Sequence, residues 1–98
     1  MPANTYQLGD AIMLYAQVTD KNGNLVDPAT LEFRWRAEST PKSGATVLVY
    51  GTHPSVVRDA VGQYHCEIKP VVSGLHFYSV LTDKNNEEAK FVVEASNF

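Results

Sequence analysis

Residues 58–70 read R-D-A-V-G-Q-Y-H-C-E-I-K-P. A polar turn runs into a stretch in which Tyr64, Cys66 and Ile68 alternate with His65, Glu67 and Lys69. Alternation with period two marks a strand with one face toward a core and the other toward water. The opposite register would bury the formal charges of Glu67 and Lys69, which is costly without partners. Tyr64, Cys66 and Ile68 are therefore expected to face in, and Pro70 closes the strand. Such a strand needs neighbours beside it and a second layer to pack against.

Upstream, residues 11–19 place Ile12, Leu14, Ala16 and Val18 on one face and Met13, Tyr15 and Gln17 on the other. Residues 31–37 alternate completely, with Leu31, Phe33, Trp35 and Ala37 inward and Glu32, Arg34 and Arg36 outward. Residues 46–50 are apolar on both faces, Val47 and Val49 against Leu48 and Tyr50. Val56-Val57 is a short strand or the start of the Asp59–Gly62 corner. Residues 75–82 and 88–95 read as the last two strands, and 5–8 as a short edge strand. Asn22-Gly23 and Asp27-Pro28 are turn signals, because Asn and Gly tolerate positive φ and Pro presets its own. Thr-Asp-Lys-Asn occurs at 19–22 and again at 82–85, which reads as one turn chemistry used twice. Turns every ~8–12 residues, with no helical period, predict an all-β sandwich of about seven strands.

The chain has 98 residues, 44% of them apolar and 19% charged, which predicts one domain over 1–98. Its net charge of −3 is spread along the chain, with no basic stripe of the kind nucleic acid requires. One cysteine rules out an intrachain disulfide. No apolar run approaches the ~20 residues that span a bilayer. The opening residues show neither a basic segment nor an apolar core, so no secretory signal is expected.

The residues Asp59, Gly62, Tyr64, Pro70, Gly74, Tyr78 and Val80, followed by Phe91 and Val93, resemble the pattern of filamin-type and bacterial immunoglobulin-like domains. The antibody pattern fits less well: two strands follow the Tyr64 strand, and no partner cysteine exists for Cys66. The resemblance implies an immunoglobulin-like antiparallel β-sandwich. A narrower order is carried by Gly9, Asp10, Leu14, Asp20, Gly23, Asp27 and Pro28. It continues through Tyr50, Gly51, Val57, Arg58, Asp59, Gly62, Tyr64, His65 and Gly74. This order resembles short stand-alone structural proteins of tailed bacteriophages. The resemblance implies a virion protein made in the host cytoplasm and bound to a capsid or tail lattice in many copies, most simply as a capsid decoration or cement protein. A neck or tail accessory role is implied nearly as well. The alternative is an immunoglobulin-like module that recognises carbohydrate or a cell surface.

No residue cluster announces chemistry. His53, His65 and His76 lack metal-ligand spacing and read as surface or boundary residues. Asp20 to Asn24 resembles the start of a calcium loop, but its glycine falls at the fourth position and Leu31 stands where a carboxylate is needed. Cys66 reads as a small buried hydrophobe. Ser, His and Asp are present without a nucleophile elbow or a phosphate loop. No enzyme activity, cofactor or metal is expected. At the corner, Asp59 is expected to accept local backbone N–H bonds while Gly62 makes the turn. The candidate partner surface is outward: Phe77, Leu81 and Val92, bordered by Arg34 and Arg36, since an apolar patch with a charged rim marks binding faces. Leu48 and Tyr50, from the 39–55 loop, are the residues that could instead cover it.

Overall fold

The computed structural model describes residues 5–95. Eight strands form: β1 Thr5–Gln7, β2 Ile12–Gln17, β3 Leu31–Ala37, β4 Thr46–Val49, β5 Val56–Ala60, β6 Gln63–Ile68, β7 Gly74–Thr82 and β8 Asn86–Glu94. They make a five-stranded sheet in the order β1-β8-β7-β3-β4 and a three-stranded sheet in the order β2-β6-β5. All pairings are antiparallel except β1 with β8. The chain is an all-β, immunoglobulin-like sandwich.

The predicted inward faces meet between the sheets. Ile12, Leu14, Ala16, Val18, Tyr64, Cys66, Ile68 and Val56 come from one sheet and its margin. Leu31, Phe33, Leu48, Val80, Phe91 and Val93 come from the other. Trp35 and Tyr78 pack against this core while staying partly exposed. Cys66 is fully enclosed, and burial pushes its thiol up to about 12, so almost no reactive thiolate exists at neutral pH.

Several sequence expectations are corrected. Residues 56–60 form a full strand whose pairing with β6 shifts between Arg58 and Ala60, a bulge that the apolar pattern does not show. Lys42–Gly44 form a 3-10 turn inside the expected loop. At Asn22-Gly23 only the glycine takes positive φ, +85°. The two Thr-Asp-Lys-Asn turns use different side chains. In the first, Asp20 Oδ1 accepts from the N–H groups of Asn22 and Asn24. In the second, Thr82 Oγ1 accepts from those of Lys84 and Asn85. Asp83 then reaches across to accept from Ala29 N–H at 2.8 Å.

His76 is buried, at 1% exposure, where a surface or boundary position was expected. β7 alternates Leu75, Phe77, Ser79 and Leu81 outward, so His76 falls on the core face beside Tyr78 and Val80. Its ring stacks between Trp35 (5.9 Å) and Phe91 (5.1 Å). Trp35 Nε1–H donates to its Nδ1 at 3.1 Å, and Nε2–H donates to Val72 O at 2.8 Å. Both ring nitrogens are thus paired, which is what lets an imidazole sit in a core.

Candidate functional site

Three strands present the candidate surface, and their register decides its texture. Across β3, β7 and β8 the outward residues line up in rows. Arg36 is opposite Phe77, which is opposite Lys90; Arg34 is opposite Ser79, then Glu88; Glu32 is opposite Leu81, then Asn86. Val92 is opposite Leu75. Phe77 and Leu81 are half-buried, Arg34 and Val92 exposed.

The expected patch is corrected at Val92. Phe77 and Leu81 both lie beside the arginine strand, but Ser79 separates them, and Arg34 and Glu88 flank that gap. Val92 lies on the far side of β7 from Arg34 and Arg36. Alternation assigns each side chain to a face, whereas the order and offset of the strands decide which side chains of different strands touch. Leu48 and Tyr50 do not cover the surface. Leu48 is in the core, and the Tyr50 ring meets the Tyr64 ring edge-on at 5.1 Å.

Arg36 and Phe77 form the centre. The guanidinium carbon stands 4.8 Å over the Phe77 ring, a cation–π contact. Arg36 Nη1 also donates to Thr40 O at 2.9 Å, which ties the strand to the loop that carries the 3-10 turn. Arg34 Nε donates to Glu32 Oε2 at 2.9 Å, and that bond raises the Arg34 pKa above its ordinary value. Around them lies an open depression of about 390 Å³, lined by Arg34, Arg36, Lys42, Phe77, Ser79 and Glu88 among others.

A second cluster lies at the corner, and sequence reasoning assigned it to the wrong residue. Asp27, not Asp59, holds the turn. Its Oδ1 accepts from Gly62 N–H at 2.9 Å, Tyr64 Oη–H at 3.2 Å and Arg58 Nε at 3.1 Å, and its Oδ2 from Arg58 Nη2 at 3.0 Å. The Arg58 bond, then the Gly62 bond, holds the Asp27 carboxyl below its ordinary value. Burial and the Asp27 bond push the Tyr64 phenol up. Asp59 instead pairs with His65 Nδ1 at 2.7 Å on the outside of β5 and β6. Asp27 and Gly62 are 35 residues apart, so no local motif announces the partnership.

Ser55 Oγ lies 2.8 Å from His53 Nδ1, but the Ser55 N–H already points to the same nitrogen at 3.3 Å. This is a turn contact, and among the described residues no carboxylate is bonded to His53 to orient it as a base. Among the described residues no three of His, Cys, Asp and Glu gather as metal ligands.

No protein-family profile and no curated protein matches the chain. Solved structures do match in shape. The Lin-41 filamin domain superposes with a TM-score of 0.70 at 9% identity, covering 96% of this chain and 86% of that one. A "putative glycoside hydrolase from Bacteroides vulgatus ATCC 8482" superposes with a TM-score of 0.61 at 17% identity. That match covers 96% of this chain and 17% of the hydrolase chain. At such identities the likeness establishes the filamin-type immunoglobulin fold alone.

Proposed function

We propose that this chain is an attachment domain without catalytic activity, a structural virion protein of a tailed bacteriophage that decorates the capsid in many copies. The resemblance carried by Gly9 to Gly74 supports the virion context. The observation that supports attachment is the outward face of β3, β7 and β8, where Phe77 and Leu81 are only half-covered and charged side chains flank both. The fold is compatible with this role and with many others.

The test is a double variant, Phe77→Ser with Leu81→Ser. Both side chains point away from the core, so the isolated domain should stay folded while binding to particles that lack the protein is lost. A folded variant that still binds places the contact elsewhere, at the loop ends of the sandwich or on a neck or tail component. Unfolding of the variant would show that these residues belong to the interior.

A second reading, an immunoglobulin-like module that recognises carbohydrate or a host surface, draws on the likeness to a short segment of the hydrolase chain. Binding on a glycan array without binding to particles would establish it in place of the first.

A further inference from the structure

The depression beside Phe77 has a charge that the chain as a whole does not. Its lining includes Arg34, Arg36 and Lys42 against one acid, Glu88, in a protein of net charge −3. Lys90, opposite Phe77 on β8, adds a cation at the margin. Four of the chain's eight Lys and Arg residues thus lie in or beside this depression.

Their donors are only partly used. Glu32 takes the Nε of Arg34, and among the described residues nothing accepts from its two terminal nitrogens or from Lys42. Arg36 is fixed in place by Thr40 O and by the ring beneath it. A guanidinium held in one orientation is prepared to meet a carboxylate in a forked, charge-assisted pair. Lys42 stands on the 3-10 turn, which Arg36 ties down through Thr40.

We propose that this depression binds an acidic peptide segment, with side-chain carboxylates meeting Arg34, Arg36 and Lys42. The inference rests on the reading above that this face is the contact surface, and it names the chemistry of the partner. A peptide fits better than the other anionic polymers. Sugar rings stack on open aromatic faces, and here the guanidinium of Arg36 already lies over Phe77. A polyphosphate chain requires a continuous basic track, and Glu88 interrupts this one. An acidic segment of a partner, by contrast, adds carboxylates at a few points where donors wait.

The experiment is a titration of the intact protein, followed by the backbone amide resonances, with three probes: a capped hexaglutamate, a capped hexaglutamine and an oligogalacturonate. Hexaglutamate should move the amides of Arg34, Arg36, Lys42 and Ser79, and the shifts should vanish in about 1 M salt, where the Debye length is ~3 Å. Hexaglutamine should leave them in place. Lys42→Glu should weaken hexaglutamate binding by about tenfold, the loss of one charge-assisted contact. No movement with hexaglutamate, equal movement with hexaglutamine, or movement with oligogalacturonate alone overturns the proposal.

Particle binding is measured on the same variants, so the two readings fail separately. Binding of hexaglutamate with undiminished particle attachment by Lys42→Glu keeps the acidic-peptide site and removes it from the particle contact. Loss of attachment in the Phe77→Ser, Leu81→Ser variant, with no hexaglutamate binding by the parent, keeps the contact surface and discards the acidic ligand.

Discussion

Arg58 on β5 and Arg36 on β3 each face an aromatic residue on the next strand, Tyr64 and Phe77, yet they do different work. Arg58 gives two bonds to Asp27, which also gathers Gly62 N–H and Tyr64 Oη–H. That corner is closed: its carboxylate carries four bonds from three residues. Arg36 is held by two carbonyls and a ring, with no carboxylate bonded to it among the described residues. Charges satisfied within the chain hold the fold together, while charges merely positioned by it remain free for a partner. Substitutions in the closed corner should therefore register as stability, and those on the open face as binding.

The largest effect is expected at Gly62. Its φ is +69°, and a Cβ there would meet Val18 O at 2.6 Å and Val26 N and O at 3.0 Å. Those atoms belong to backbone that is itself bonded, Val18 N–H to Gly62 O at 2.7 Å and Val26 N–H to Val18 O at 3.0 Å. Gly62→Ala should cost roughly 4 kcal/mol, the size reserved for core clashes and strained backbone, out of a total of ~5–15 kcal/mol. Gly23, at φ +85° with nothing within 4 Å of its Cβ position, isolates the conformational part; Gly23→Ala should cost only ~1 kcal/mol. Equal losses in urea unfolding would remove the close approach at Gly62 from the argument.

Next in size is the aromatic stack behind the open face. Trp35→Ala should cost about 3 kcal/mol, less than for a fully buried indole, because Trp35 is only partly buried. Trp35→Phe keeps a ring but leaves His76 Nδ1 without its donor, at about 1 kcal/mol. If Trp35→Phe costs as much as Trp35→Ala, the hydrogen bond outweighs packing, and His76 is the centre of that layer.

The two regions were also unequally legible. Alternation over residues 31–37 and 63–68 predicts the inward faces of β3 and β6 residue by residue, because a two-fold period leaves only two choices and one buries charge. The open face was legible to the same depth: Phe77, Leu81 and Val92 do point outward. Their arrangement was not, since the order of strands in the sheet places β7 between β8 and β3, and this separates Val92 from the arginines. The closed corner was misread because Asp59 is the nearer acid in sequence. Asp27 prevails through space, where its loop passes the Gly62 turn. His76 was missed for a related reason: a polar residue on an inward face is tolerated when neighbours pair both its nitrogens, and those neighbours, Trp35 and Val72, are recognisable only after folding.

A smaller effect should appear on acidification. Asp27 has a folded-state value below the ordinary carboxylate value of 3.8, so its charged form is favoured by folding. The stability it contributes is present above that ordinary value and is lost as pH falls through the depressed one. Asp27→Asn retains acceptors for Gly62 and Tyr64 but not the charge facing Arg58. Its unfolding midpoint should fall less steeply with pH below about 4 than that of the parent protein. Parallel slopes would mean that Arg58 is indifferent to the charge and that the corner is held by its neutral bonds.

The smallest effect is expected on the open face, and it tests the comparison most directly. Arg34→Gln removes an ion pair with Glu32 in which half of the Arg34 side chain is exposed. Exposed pairs of this kind contribute little to folding, because water and salt screen them and two long side chains must be held still. The melting temperature of Arg34→Gln should match that of the parent. Arg58→Gln removes a pair that is also partly exposed, but it loosens the carboxylate that holds Gly62 and Tyr64, so its melting temperature should fall. If both variants melt with the parent, exposure alone governs these pairs and the closed corner has no special standing. If Arg34→Gln is the less stable of the two, the Arg34–Glu32 pair is part of the structural frame of the sheet, and the open face is less free for a partner than its geometry implies.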